Sequence, residues 1–410
     1  MVGAMNPHTD TSAPLAGLAG RRVLAGDTLA PASLQLDGGL VAACQPGPAA
    51  RPAQAGAWLD AGDLLVLPGI VDLHGDAFER AVMPRPGVTF PYDGALLDVD
   101  RQLLANGITT EFHGVTVSWE GGLRGEPYAL SMFDCLRRMQ GVLGADHCVH
   151  LRFETHHVAG VPAALQWIAQ GLVRFVALNN HLPSMVKRLG DARKLQQYAD
   201  RAQCDLDTYH ARVRQAVEAA GDVDDAMAEL IAGARAAGLE VASHDDPDPA
   251  TREFYHRLGC AVAEFPLTQE AAAGARRLGD ALVFGAPNVV RGGSHTHAPD
   301  ATAMIRAGLC DVLASDYYYP APLAAAFKLA GDGVLALPRA WDLVSRNPAR
   351  AAGLRDRGAL APGLRADAIL VDDSRPGLPQ VCAAIVGGRL RYASRPLRIE
   401  AAGAVARAAA

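Results

Sequence analysis

The segment from Leu67 to Asp76 combines an apolar, strand-like run with two side chains that can bind a metal ion. It ends in His74, Gly75 and Asp76, and Glu79 follows shortly afterwards. Side chains two residues apart on an extended strand end point to one side of the backbone, so this imidazole and this carboxylate can bind one divalent cation. The same pair also occurs by chance in many proteins. It therefore predicts a metal site only if other ligands follow at matching positions.

Length, charge and cysteine usage limit the class of protein. A chain of 410 residues, 50% hydrophobic, accommodates about two to three domains, or one barrel with an appendage. The formal net charge of -6 argues against a nucleic-acid-binding protein, which needs a basic face for phosphates. The seven cysteines are scattered without a C-x-x-C motif, which indicates reduced thiols. We expect a cytoplasmic protein without a signal peptide or a membrane span.

Both ends of the chain carry short strand-like runs separated by turn residues. After a loose tail over residues 1–18, residues 19–65 and 355–400 predict one small β domain built from both termini. Residues 66–354 repeat a pattern of strand, loop and helix, which is typical of a parallel sheet. The expected strands cover residues 66–74, 108–113, 147–154, 173–181, 239–244, 260–265, 281–286 and 311–316. Eight such strands favour a closed (β/α)8 barrel, with a helical insertion over residues 185–238 that covers the site or packs against a neighbour.

Ionisable residues fall at the ends of five predicted strands, where barrels of this kind carry their chemistry. They are His74, Asp76, Glu154, His181, His244 and Asp316. Taken singly, a histidine at a strand end is more often a hydrogen-bonded packing residue than a ligand. Six such groups close together would repel each other or undergo large pKa shifts unless cations neutralise them. Two divalent ions would do so, and would lower the pKa of a shared water enough to supply hydroxide near neutral pH.

The motif from Pro68 to His74, the later strand-end histidines and the final Ser315-Asp316 resemble the amidohydrolase superfamily. The resemblance covers nearly the whole chain and implies a (β/α)8 barrel flanked by a β-sandwich from both termini. Many members bridge two metals with a carbamylated lysine, but none of the three lysines here lies at a predicted strand end, so Glu154 is the expected substitute. The resemblance implies two divalent ions, zinc before manganese or iron, and it assigns the ligands as His74, Asp76, Glu154, His181, His244 and Asp316. Asp316 would also accept the proton of the attacking water.

Four longer runs are similar to one subgroup of this superfamily that acts in phosphonate metabolism. They are Met83 to Val88, His150 to Glu154, Ala242 to Asp246 and Gly285 to His295, of which the last, glycine-rich run is the most specific. This similarity implies a diphosphatase that releases pyrophosphate from a ribose triphosphate carrying a methylphosphonate and leaves a 5-phosphate. The chain differs from the subgroup at Gly75 and Ala77, where that subgroup has threonine and asparagine, and over residues 179–184.

A triphosphate brings several negative charges into an acidic chain, so local cations must hold it. Arg291 is the best candidate because the glycines after it let the backbone approach an oxyanion. We expect Arg85, His295 and His113 to contribute to the same binding site. The alternative for Arg291 is an ordinary surface turn with an incidental arginine.

Two other functions stay open at this stage. The same barrel could carry a deaminase or an amide or cyclic-amide hydrolase, because one fold serves many chemistries. A binding or regulatory protein on a decayed barrel is a third interpretation, against which the six intact ligands argue. The expected partners are a small phosphorylated molecule and further copies of the same chain, and neither nucleic acid nor a membrane.

Overall fold

The computed structural model describes residues 14–47, 56–85, 87–294 and 299–401. Its first strands are β1 (Gly17–Ala25), β2 (Thr28–Asp37), β3 (Leu40–Pro46), β4 (Ala57–Asp60) and β5 (Leu65–Pro68). The middle strands are β6 (Ile70–Gly75), β7 (Ile108–Val117), β8 (Asp146–Glu154), β9 (Phe175–Asn179), β10 (Val241–His244), β11 (Val262–Glu264), β12 (Ala281–Gly285) and β13 (Val312–Ala314). The last are β14 (Ala368–Asp372), β15 (Gln380–Val386), β16 (Arg389–Ala393) and β17 (Arg398–Ala401).

Helices alternate with the middle strands, and several more extend the loops between them. They are α1 (Phe78–Val82), α2 (Tyr92–Ala105), α3 (Glu126–Arg138), α4 (Val161–Ala169), α5 (Leu182–Lys187), α6 (Ala192–Arg201), α7 (Leu206–Glu218), α8 (Val223–Ala236), α9 (Pro249–Leu258), α10 (Gln269–Leu278), α11 (Ala286–Arg291), α12 (Ala301–Arg306), α13 (Ala321–Gly331), α14 (Leu337–Asp342) and α15 (Arg346–Ala351). Among the described residues, no helix is long and apolar enough to cross a membrane.

Strands β6 to β13 form one parallel sheet in chain order, which curls into a nearly closed barrel. This confirms the predicted (β/α)8 fold. Every residue of β7 is buried, as expected for strands covered by helices outside and by side chains inside. Inside the barrel Leu73 of β6, Phe112 of β7 and Phe175 of β9 belong to one buried hydrophobic cluster.

The first and last barrel strands meet at a short junction, which we call the barrel seam: Asp72 to Asp76 with Ser315 and Asp316. The backbone N of Asp316 donates to the carbonyl of His74, and the N of Asp76 donates to the carbonyl of Asp316, each at 2.9 Å. The Oδ1 atom of Asp72 accepts from the Ser315 N at 2.9 Å. The seam thus joins β6 to the segment after β13 at the point where candidate ligands leave both.

A second, mostly antiparallel sheet contains β1 to β5 and β14 to β17, so both termini contribute to it as predicted. Strand β1 begins at Gly17, inside the segment predicted as a tail, and the tail up to residue 13 lies outside the described residues. The sheet encloses its own apolar core, which includes Leu34, Leu59 and Leu370. Only Gly69 separates its strand β5 from barrel strand β6.

Helices α5 to α8 occupy the segment for which the sequence predicts a helical insertion. Helices α5 to α7 share a small apolar cluster that includes Leu195, Tyr209 and Val213. Glu120, on the loop after β7, is completely buried and accepts hydrogen bonds from Arg201 of α6 and from Tyr209 of α7. Helix α8 instead packs against α4 and β10, as a crossover helix of the barrel does.

Candidate metal centre

Three buried side chains meet at the ends of β6, β10 and β11. The Oε2 atom of Glu264 lies 3.1 Å from Nδ1 of His74 and 3.2 Å from Nδ1 of His244. The two imidazole rings are stacked with their centroids 5.3 Å apart. Because the carboxylate accepts both Nδ1 protons, it fixes each ring and leaves Nε2 as the nitrogen that can bind a metal. In this structure Nε2 of His244 accepts a hydrogen bond from Arg152. The donor atoms of His74, His244 and Glu264 are also close enough to hold one ion directly.

A second group shares His244 and lies toward β8 and β9. His181 contacts the Glu154 carboxylate through Nδ1, and its backbone N donates to Oε2 of the same residue at 3.2 Å. The Nε2 atom of His181 is 3.9 Å from Oδ2 of Asp245, and the Nε2 atom of His244 is 3.7 Å from Oδ1. Donor atoms of His181, His244 and Asp245 all lie within 4.8 Å of one another. Such mixed imidazole and carboxylate donors fit a divalent transition metal.

Burial keeps the imidazoles of His74, His150 and His244 neutral. It lowers the pKa of His150 and His244 to about 3 and the pKa of His74 well below its usual value. Nearby positive charges act in the same direction, above all that of Arg152 on His74 and His244. A neutral ring is the form that binds a metal, so no proton has to be displaced from these histidines at neutral pH.

A cavity of 280 Å³ opens above these groups at the C-terminal ends of the strands. Asp76 and Asp316, which the seam brings side by side, both line it. Burial is the largest cause that raises the pKa of Asp316 to about 7, and the negative charge of Asp76 adds to it. A bound cation would reverse this shift and favour the carboxylate. The structure thus brings together all six predicted ligands around one end of the barrel.

Backbone strain is concentrated at the same end of the barrel. Asp245, Phe265 and Asp316 have φ values of 60°, 51° and 55°. Asp245 and Phe265 directly follow β10 and β11, and Asp316 lies two residues after the end of β13. Non-glycine residues in this left-handed region cost about 1–3 kcal/mol each, and they cluster at functional sites. The strain turns the chain sharply after β10, β11 and β13, and the side chains of all three residues line the cavity.

Arg152 is a cavity residue that the sequence analysis did not identify. Its side chain is almost buried, with Nη2 donating to Nε2 of His244 at 3.2 Å and Nη1 lying 3.5 Å from Oδ2 of Asp76. Since an arginine can only donate, Nε2 of His244 is the acceptor here, which fits a ring proton on Nδ1. The alternation of side chains along β8 could have predicted this position, because it places Arg152 on the same barrel face as His150 and Glu154. Asp245 and Glu264 likewise belong to the centre but were not among the predicted ligands.

The structure separates the predicted substrate-binding residues. Arg291 ends α11, and its Nη1 lies 3.5 Å from the hydroxyl of Tyr317, which lines the cavity. Arg85 is exposed on the loop after α1, and neither Arg85 nor Arg291 itself lines the cavity. His113 does not face the barrel mouth, which corrects the expectation: its ring bonds His147 at 2.8 Å, and that ring in turn bonds Asp100 of α2. His295 lies outside the described residues.

No protein-family model matches the chain, but comparison with known proteins finds related sequences. The chain is 35% identical over 323 residues to the α-D-ribose 1-methylphosphonate 5-triphosphate diphosphatase of Escherichia coli K12, which covers 77% of this chain and 83% of that protein. A stretch of 54 residues is 46% identical to the imidazolonepropionase of a Ruegeria species, covering 12% of this chain and 13% of that protein.

Solved structures share the fold at low sequence identity. A crystal structure of an amidohydrolase has a TM-score of 0.60 at 15% identity, covering 92% of this chain and 99% of that one. The dihydropyrimidinase of Brevibacillus agri has a TM-score of 0.63 at 12% identity, covering 94% of this chain and 96% of that one. Because the diphosphatase relative is 35% identical and covers more than two thirds of both chains, we conclude that the chain belongs to the same family as that diphosphatase.

Proposed function

We propose that this protein is a metal-dependent phosphoanhydride hydrolase that converts α-D-ribose 1-methylphosphonate 5-triphosphate, or a close relative, to the 5-phosphate and pyrophosphate. The observation that carries the proposal is the compact donor set at the barrel mouth of a chain 35% identical to such a diphosphatase. The free state of all seven cysteines is compatible with work in the cytoplasm.

We assign two groups of side chains to two divalent ions, with zinc as the first candidate. His74, Asp76 and Asp316 lie on the side of the seam, and Glu154, His181 and His244 lie on the side of β8 to β10. Glu264 adds a carboxylate beside His74 and His244, and Asp245 adds one beside His181 and His244. When bound, such ions lower the pKa of water and neutralise charge on the phosphoryl oxygens.

The protein groups have separate tasks in the hydrolysis. The oxygen of water bonds to the attacked phosphorus, the bridging P–O bond breaks, and the bridging oxygen keeps the electron pair as pyrophosphate and sugar phosphate separate. The Asp316 carboxylate accepts the proton of the attacking water, for which its position beside Asp76 in the cavity is suitable. Arg152, a buried cation in the same cavity, would stabilise negative charge that develops on the phosphoryl group. Arg291 would orient the phosphates at the rim.

Phosphorus NMR on purified protein of measured metal content tests the proposal. We expect release of pyrophosphate by the wild type, and Asp316→Asn should lower kcat by about 100- to 10,000-fold because it removes the proton acceptor. Metal content and circular dichroism of the variant serve as controls. Metal-loaded wild type that releases no pyrophosphate, or a variant as active as the wild type, would contradict the assignment.

A C–N bond hydrolase is the second candidate, favoured by the short but close match to an imidazolonepropionase. The guanine deaminase of Clostridium acetobutylicum, which shares the fold, is a further example of such chemistry. Arg291→Ala separates the two interpretations. If the protein is a diphosphatase, this variant should lower the rate of hydrolysis of phosphorylated substrates. If it is a deaminase or cyclic-amide hydrolase, the variant should keep the wild-type rate on uncharged substrates.

A further inference from the structure

We propose that Arg80 and Arg291 form a clamp around Tyr317 at the cavity rim, which binds the phosphates that lie beyond the reacting phosphorus of the substrate. We call Arg80, Arg291 and Tyr317 the rim clamp. The inference rests on the proposed function for the identity of its ligand. It adds Arg80 to Arg291, which the sequence pattern already predicts to bind phosphates.

Tyr317 links the clamp to the reaction because it follows Asp316 directly and lines the cavity. Arg80 approaches it at the backbone: Nη2 donates to the Tyr317 carbonyl at 2.6 Å, and the guanidinium carbon lies 5.9 Å from the ring centroid. Arg291 approaches it at the opposite end, with Nη1 3.5 Å from the hydroxyl. The two guanidinium groups therefore lie at both ends of one tyrosine at the mouth of the site.

The charges of the clamp are available for a ligand. Within the described part of the chain, neither Arg80 nor Arg291 forms an ion pair with a carboxylate, whereas Arg152 lies beside Asp76 and Arg124 beside Glu120. Both clamp arginines are exposed. In a chain with a net charge of -6, two exposed guanidinium groups without a counter-charge at a cavity mouth attract anions, and each can bind a phosphate through two hydrogen bonds.

The positive field extends from the rim to the floor of the cavity. Arg152 lines the cavity, with Nη1 3.5 Å from Oδ2 of Asp76, whereas Arg80 and Arg291 contact Tyr317 at the rim. Arginines both inside the cavity and at its rim can bind successive phosphates of an extended polyphosphate, whereas a single phosphate would contact only one of these positions. A polyphosphate whose reacting phosphorus lies near Asp316 would place its outer groups beside the next residue, Tyr317.

The clamp replaces Arg85, which the sequence pattern predicts as a substrate-binding residue. Arg80 belongs to α1, the helix that starts directly after the His74 and Asp76 motif, so the fold holds it near the cavity. Arg85 lies beyond the end of that helix, and its backbone pairs with Val88 in an exposed loop. The two arginines are five positions apart, so a direct comparison of their variants is informative.

Binding of inorganic tripolyphosphate, measured by isothermal titration calorimetry, tests the clamp without turnover. We expect Arg80→Ala and Arg291→Ala each to raise the Kd for tripolyphosphate by about 10-fold, as loss of a charge-assisted hydrogen bond implies. Arg80→Lys should recover part of the affinity. Inorganic monophosphate, which does not reach the rim, should bind all variants within about two-fold of the wild type, and rising salt should reduce the difference between wild type and variants.

Arg85→Ala tests the competing residue, and Arg137→Ala, an exposed arginine paired with Asp134 on α3, is the matched control. Both should leave the Kd unchanged, at equal metal content and circular dichroism. An Arg80→Ala variant that binds tripolyphosphate like the wild type, or an Arg85→Ala variant with the larger loss, would overturn the clamp. If tripolyphosphate binding follows the expected pattern but no pyrophosphate is released, the diphosphatase assignment fails alone. If pyrophosphate is released and Arg80→Ala leaves KM unchanged, the clamp fails alone.

Discussion

Gly75 has no room for a side chain, although it lies between two candidate metal ligands. A Cβ atom there would lie 2.1 Å from Oε1 of Glu111. Glu111 is completely buried, and neither of its carboxylate oxygens has a hydrogen-bond partner among the described residues. Burial raises the pKa of this carboxyl well above its usual value, and the charge of Asp72 adds to the effect. The glycine therefore accommodates a buried acid in the barrel wall.

This contact gives a structural reason for the glycine at position 75, where the sequence is expected to differ from the phosphonate subgroup. The position of Gly75 in the motif faces Glu111 and not the cavity, since Gly75 is absent from the cavity lining. Ala77, the second difference, packs against the hydrophobic core beside α1. Neither residue contacts the space where a substrate would bind, so the two differences concern packing of the wall.

Gly75→Ala should destabilise the protein by about 1–3 kcal/mol, because the added methyl group overpacks the wall against Glu111. Gly94→Ala is the matched control: it lies in helix α2, and an added Cβ meets nothing within 4 Å. That variant should gain about 0.5–1 kcal/mol from helix propensity. Urea denaturation of both variants measures the difference, and equal stability of the two would show that Glu111 moves away freely.

The predicted ligands could be located from the sequence because they combine two regular features. Each ends a run of strand length, and parallel strands of a barrel end on one face, so His74, His244 and Asp316 were expected together. The side of the strand was harder to predict. His113 lies within β7, which continues to Val117, and its ring faces the helices. An error of one residue in the register reverses the face on which a side chain lies.

At the level of elements, Glu120 connects the barrel to helices α6 and α7. Its buried carboxylate accepts from Arg201 and Tyr209, and Arg212 of α7 donates to its backbone carbonyl. Gln203, which follows α6, also donates to the hydroxyl of Tyr128 on α3, and α8 packs against α4. The charge periodicity of residues 185–238 predicts helices, but a partner 60 or more residues away in the chain leaves no local signal.

Glu120→Ala should loosen α6 and α7 selectively, since Arg201 and Tyr209 lose their acceptor. We expect the local opening free energy of residues 192–218 to fall by about 1.5–3 kcal/mol, the cost of losing hydrogen bonds to a charged group. Hydrogen exchange followed by mass spectrometry measures this. Glu253→Ala, which removes an exposed ion pair with Arg257 on α9, should change exchange by less than about 0.5 kcal/mol. Uniform destabilisation of the barrel would contradict a local anchor.

At the level of the whole molecule, the terminal sheet and the barrel share one hydrophobic core. Leu65 and Leu67 of β5 and Ile369 of β14 belong to the same buried cluster as Leu104 of α2 and Ile108 of β7. Trp341 of α14 donates from Nε1 to the carbonyl of Pro68 at 3.0 Å, which adds a polar link between a barrel helix and strand β5 of the terminal sheet. The composition of the chain ends predicted a β domain, but not that it packs directly on the barrel.

Because of this common core, we expect the two sheets to unfold together. The slowest-exchanging amides of β14 and β15 should give the same opening free energy as those of β7 and β8, with the same dependence on urea. Native-state hydrogen exchange tests this expectation. A terminal sheet that opens at a clearly lower free energy than the barrel would show that the two are independent units.

The barrel seam has a consequence for how the site and the fold depend on each other. Its backbone bonds join residues of the first strand to Asp316, which is also the expected proton acceptor. A cation held jointly by Asp76 and Asp316 would therefore link the first and last strands of the barrel and stabilise its closure. Occupancy of the site and closure of the cylinder would then reinforce each other, because a ligand that binds only the closed form stabilises it.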